Sequence, residues 1–178
     1  MPITLSEFAA RLLSAENDIR EASEKAVEVG AKMVAKKAKQ LIGHEQPEWP
    51  ALKPETIEEK RRLGYPTPAP LLRDGTMRDS ISSSRAEWED AHTVSAYAGS
   101  TDPKSVFHEL GTSKIPPRPF ISLAARGQER LIVEKMGATF MSQMATGGSS
   151  CHLWKHVMHD LHKAYEIGKD MLETDEED

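Results

Sequence analysis

A single cysteine, Cys151, leaves no room for an internal disulfide or a multi-cysteine zinc module. Long apolar runs are missing too: mean hydropathy is −0.53, and no stretch approaches the roughly 18 apolar residues of a membrane span. The opening MPITLSEF lacks a basic region followed by an apolar one, so no signal peptide and a cytosolic product are expected. Excess positive charge is absent as well. The formal net charge is −5, and residues 173–178 (ETDEED) supply five acidic groups, so the rest of the chain is formally neutral. That is not the electrostatic footprint of a duplex-DNA binder. Two basic runs, Lys32 with Lys36, Lys37 and Lys39, and Lys60 with Arg61 and Arg62, read as solvated helix faces.

Catalytic signatures are equally sparse. There is no nucleophile elbow and no glycine-rich phosphate loop before a helix. His108-Glu109 begins as a zinc-protease motif would, but Thr112 stands where the second histidine belongs. Glu58-x-Lys60 is a fragment of a metal-nuclease motif in a proline-rich loop, a context that suits surface charge better than chemistry. His152, His156 and His159 share one helical face and are the nearest approach to a metal site. No carboxylate completes that set, so they read as the polar flank of an apolar stripe. We expect no enzyme and no cofactor.

What is present is patterning. The 178 residues, 38% of them hydrophobic, can bury one core. Over residues 4–42, Phe8, Leu12, Ala15, Ile19, Ala22, Ala26, Val29 and Met33 recur at alternating steps of four and three, which predicts one long helix. Thr4 or Ser6 suits its N-cap, its alanines invite a close partner surface, and Gly30 suits a bend. From 44 to 70, prolines cut the chain into loop pieces with one short helix opening at Pro54. Asp74-Gly75 predicts a turn. Residues 81–88 and 92–99 predict a hairpin around Glu89, Asp90 and Ala91.

The stretch VFHELGTSKIPPRPFI, residues 106–121, is the most strongly punctuated part of the chain. Gly111 suits a positive φ, while Pro116, Pro117 and Pro119 each fix φ and remove a donor. An extended arm should therefore present Arg118 and Phe120 at its end. If the arm pairs with the hairpin, the sheet has three or four strands. Behind it a helix over 121–144 is expected, weakened at Gly127 and Gly137, then a linker at 147–150 and a last helix over 151–172. The expected class is α+β: a long N-terminal helix packed on a small antiparallel sheet, with added C-terminal helices. Residues 1–145 form the α+β domain, and 146–178 hold the linker, the C-terminal helix and the acidic tail.

Three ordered motifs suggest a family. Glu109-Leu110-Gly111-Thr112 followed by Pro116-Pro117-Arg118-Pro119-Phe120-Ile121 resembles a signature of phage tail-completion and virion-morphogenesis proteins of long-tailed and Mu-like phages. Trp49, Leu52, Thr56 and Lys60 resemble a second stretch of that family, and Leu72, Gly75, Met77, Ser80 and Ile81 a third. The resemblance stops near residues 130 to 145.

It implies a structural virion protein at the head-tail junction or tail end, assembled in the host cytoplasm. Such a protein works as a homo-oligomeric ring, a hexamer or dodecamer in related families. Connector or head-completion, tail-terminator or tail-tube proteins are its partners, and DNA passes through the lumen without sequence-specific contacts. Its sites are interfaces: Trp49 and Leu52 as an apolar anchor, since aromatic residues dominate interface energies, with Arg118 and Phe120 at the arm. Gly75, Gly111, Pro117 and Pro119 shape the turns. Arg118, framed by two prolines, is pre-ordered to meet a carboxylate of a neighbouring subunit or of its own chain. The competing reading is a non-virion assembly adaptor acting through the 151–178 segment; a metal-dependent nuclease is the third.

Overall fold

The computed structural model describes residues 4–146. The linker at 147–150, the histidines at 152, 156 and 159, the last helix and the acidic tail lie outside the described residues.

The chain divides into two compact units. Residues 1–23 and 138–178 belong to one of them; among its described residues Ala22 and Met144 are buried. Glu24–Gly137 form the other, and it contains the hydrophobic core.

Helix α1 runs Leu5–Leu41. It opens on a reciprocal capping box. The Glu7 backbone N–H donates to Thr4 Oγ1 at 3.2 Å, and Glu7 Oε2 accepts the Thr4 N–H at 2.8 Å. Its buried seam is built of small residues, Ala26, Ala31, Ala35 and Ala38 in the larger unit, so neighbouring chain can lie close to the helix axis. The seam drifts from the expected Val29 and Met33, which are only half-buried, toward 31, 35 and 38. Gly30 serves close approach rather than a bend. A Cβ there would lie 2.6 Å from Met136 Sδ and 3.3 Å from a methyl of Ile132.

Helix α2, Pro54–Arg62, opens on its proline as expected. Gly75, at φ 88°, turns the chain into the short helix α3, Thr76–Asp79, while Asp74 Oδ1 accepts the Thr76 N–H at 3.0 Å. Then comes the hairpin, in two ladders. β1 (Ile81–Ser83) pairs antiparallel with β4 (Ala98–Ser100), and β2 (Glu87–Trp88) with β3 (Val94–Ser95). Between the ladders, residues 84–86 face residues 96–97, so one arm carries one residue more than the other. That is a bulge. Tyr97 N–H donates to Ser84 Oγ there at 2.9 Å, a side chain standing in for the ladder. At the tip, Asp90 Oδ1 accepts the N–H groups of His92 and Thr93 at 2.6 and 2.7 Å.

α1 lies against this hairpin. Glu24 accepts the Trp88 indole N–H at 2.6 Å, and Glu28 accepts the Ala86 N–H at 3.2 Å. Ala35, Ala38, Leu41 and Ile42 share the core with Trp49, Met77, Ile81, Phe120 and Ala124. The fold is thus α+β and helix-dominated, with a long N-terminal helix, a small antiparallel strand set and helices toward the C-terminus.

Two expectations need correction. The arm after Gly111 adds no strand: the sheets are two-stranded, because its prolines have no N–H to give to a ladder. The single helix over 121–144 is two, α5 Ile121–Arg126 and α6 Glu129–Thr146. The break falls at Gly127, whose N–H closes on Leu123 O at 2.9 Å before the chain restarts. Leu131 on α6 is 51% exposed.

Candidate functional site

The residues from Pro103 to Ser122 build a clamp. Helix α4, Lys104–Leu110, ends at Gly111, where φ is 77°. A Cβ at Gly111 would sit 2.9 Å from both the ring Cδ and the backbone N of Pro117. Both the dihedral and the space therefore require glycine. The Thr112 hydroxyl accepts the N–H groups of Lys114 and Ile115 at 3.2 and 3.0 Å and rounds the bend. The chain then comes back on α4, with the Arg118 N–H donating to His108 O at 2.7 Å.

Glu109 fastens the end of the arm. Its carboxylate accepts the N–H groups of Phe120, Ile121 and Ser122 at 2.8, 3.0 and 2.8 Å, and the Ser122 hydroxyl at 2.6 Å. Those N–H groups open α5 and have no partner within the helix. Burial alone raises the Glu109 pKa, but the Ser122 hydroxyl and the three backbone donors outweigh it and bring it below the ordinary value. Phe120 is carried to 0% exposure.

The 49–51 loop is tied to the same arm. Trp49 Nε1 donates to Pro119 O at 3.1 Å. Arg118 Nη2 donates to Pro50 O at 2.8 Å and Ala51 O at 3.3 Å, with Nε adding a second bond to Pro50 O. Within its own chain Arg118 thus meets carbonyl oxygens and not a carboxylate. Trp49 at 7% exposure, Arg118 at 8% and the buried Phe120 each tie the arm to the body of the fold. Gly75 and Gly111 hold the turns expected of them, and Pro117 packs on Gly111.

Beside the clamp is a cleft of about 280 Å³. Thr56, Glu59 and Lys60 of α2 line it, with Leu63, Tyr65, Ala69, Leu71, Leu72 and Arg73 from the segment that follows, and Leu52, His108 and Arg118. Leu52 is therefore a wall residue of this cleft. Lys60 Nζ reaches across to Ala69 O at 2.5 Å and Leu72 O at 2.7 Å. Leu71 between them sits at φ 61°, a left-handed conformation that costs a branched side chain free energy. Burial, and then the charge of Arg73, lower the Lys60 pKa. The Arg73 guanidinium lies 4.8 Å from the centre of the Tyr65 ring.

His108 separates this cleft from a second one of about 190 Å³, which shares Leu71 and Arg73 with it and is also lined by Asp102 and Lys104. Burial first, then the charge of Arg118, hold the His108 pKa below its usual value. Its Nδ1 is buried and has no hydrogen-bond partner among the described residues.

Glu58 does not line the cleft that Lys60 enters, so the fold does not bring the Glu58-x-Lys60 pair together around one cavity. Two residues apart on a helix, they point to different sides. Sequence reasoning missed the roles of Glu109 and Arg73. The partners of Glu109 lie eleven to thirteen residues on, across a turn, and no local pattern announces them.

Family models, curated proteins and solved structures were compared with this chain, and none matches it.

Proposed function

We propose that this chain is a structural protein of a phage neck or tail end, and that copies of it assemble head-to-tail into a ring through which DNA passes. The observation that carries this reading is helix α4. Val106, Phe107 and Leu110 are 54%, 51% and 75% exposed, and at 3.6 residues per turn they share an arc of about 100°. Ser105, on the other side of the helix, is buried, and His108 and Glu109 are half-buried and bonded to the arm. A short helix with a clamped inner side and three large apolar groups outside is a surface built to be covered.

The covering partner is a second copy. α6 exposes Leu131 at 51% and, on its other side, Val133 at 64%, so one chain exposes apolar side chains on two different helices, which suits a head-to-tail contact. The three motifs resembling tail-completion proteins fall on three structured places: Gly75 starts α3, Lys60 braces the cleft, and Glu109 through Phe120 form the clamp that holds α4. The ring number, hexamer or dodecamer, and the contacts with connector, terminator or tube proteins follow the same resemblance.

The test is solution mass by light scattering across concentration, alone and with connector or tube protein. The wild-type chain gives a ring-sized species, alone or on the partner. Phe107→Asp stays monomeric while its thermal midpoint is unchanged. Rings formed by Phe107→Asp at wild-type concentrations would remove α4 from the interface, and a chain that stays monomeric under every condition would remove the ring.

A further inference from the structure

Lys60, Arg73 and Arg118 converge on one cleft, and among the described residues none of them pairs with a carboxylate. This occurs in a chain whose formal charge is −5. The one carboxylate among the lining residues is that of the exposed Glu59, so three positive groups outnumber their counter-charge and repel one another. We propose that the cleft receives the carboxylate of an acidic side chain of a partner protein, with an adjoining aliphatic side chain of that partner against Leu52 and Leu71.

The unused donors are already placed. Arg118 uses Nε and Nη2 on the 50–51 carbonyls and keeps Nη1. Lys60 uses two of its three ammonium hydrogens on Ala69 and Leu72. Because those bonds fix both side chains beforehand, little freedom is lost when a ligand arrives. His108 lines the same space, with its Nδ1 buried and without a hydrogen-bond partner among the described residues.

The ligand class follows from size and wall. A space of about 280 Å³ admits a side chain or two. Most of its exposed wall is apolar, and the Tyr65 ring is already faced by Arg73, so that ring offers no free platform for stacking a base. An acceptor-only group on a short apolar body matches donors set in leucine. This assignment stands on the cleft and is independent of the exposed face of α4.

The probes are a blocked tripeptide with glutamate between two leucines, the same peptide with glutamine at its centre, and hexanoate. Each is titrated into the full chain while the His108 ring and the cleft leucine methyls are followed by NMR. The glutamate peptide is expected to shift these signals saturably and to bind about tenfold tighter than the glutamine peptide. Arg73→Gln, whose side chain contacts only the Tyr65 ring, should weaken the glutamate peptide about fivefold with an unchanged melting temperature, and Arg61→Gln, which does not line the cleft, should leave it as wild type. Equal binding of the two peptides, indifference to Arg73→Gln, or no saturable shift overturns the proposal. Binding of hexanoate without the peptide overturns the protein source and makes the cleft a site for a small free acid.

Discussion

His108 and Glu109 are adjacent in the chain and both half-buried, yet the fold uses them in opposite ways. The Glu109 carboxylate accepts four hydrogen bonds at the start of α5. The His108 carbonyl accepts the Arg118 N–H, but its Nδ1 is buried with no hydrogen-bond partner among the described residues. The same contrast separates their surroundings. On the side of Glu109, the Trp49 indole, the Arg118 guanidinium and the α5 donors are all tied to the chain itself. On the side of His108, Lys60 and Arg73 line a cleft whose one carboxylate is that of the exposed Glu59, and neither cation forms an ion pair among the described residues. Buried polar groups that are satisfied hold a shape, whereas unsatisfied ones leave capacity for something from outside.

The largest expected effect comes from emptying the closed side. Phe120→Ala should cost about 3–5 kcal/mol by chemical denaturation, because it leaves a cavity at a fully buried position that the clamp cannot collapse into. A cost below about 1 kcal/mol would mean that the arm is not anchored by its phenyl ring.

Next is Glu109. Glu109→Ala should cost about 2–4 kcal/mol, since it strands three backbone donors and a hydroxyl together. Glu109→Gln, which keeps one acceptor oxygen, should lose roughly half of that. If the two variants melt alike, charge and not acceptor count holds α5, and the contrast with His108 has to be redrawn in electrostatic terms.

The smallest effect is a pH dependence. His108 titrates below its ordinary 6.5 in the folded chain, from burial and then Arg118. The unfolded chain therefore binds the extra proton first as pH falls. The His108 contribution is present above about 6.5 and is lost as pH falls through the folded value. It should be the smallest of these effects, because the group is only half-buried and solvent screens it. Glu109 acts in the same direction in a lower window, losing its contribution as pH falls from its ordinary 4.5. Melting temperatures from pH 8 to pH 3 should thus fall in two steps, and His108→Gln should remove only the upper one. A single step at low pH in the wild type would place His108 outside the stability balance.

Much of this architecture was legible in residue order. The α1 capping box, the proline that opens α2, the Asp74-Gly75 turn and the Asp90 hairpin tip are local devices, each settled within a few residues by backbone sterics and short-range hydrogen bonds. Gly111 was legible for the same reason. The candidate site was less so. Trp49, Arg118 and Phe120 were marked as important, but composition cannot tell an aromatic that anchors a partner from one that locks its own loop, since both are large and apolar.

By itself, then, the sequence determined the helical and turn elements and the break in regular structure at the proline arm, because dihedral limits and missing donors act locally. Only the tertiary structure decided that Arg118 meets the 50–51 carbonyls, that Glu109 caps a helix across a turn, and that Lys60, Arg73 and His108 share one cleft. Those are contacts between segments up to 68 residues apart, and which groups meet at that range is set by how the core packs.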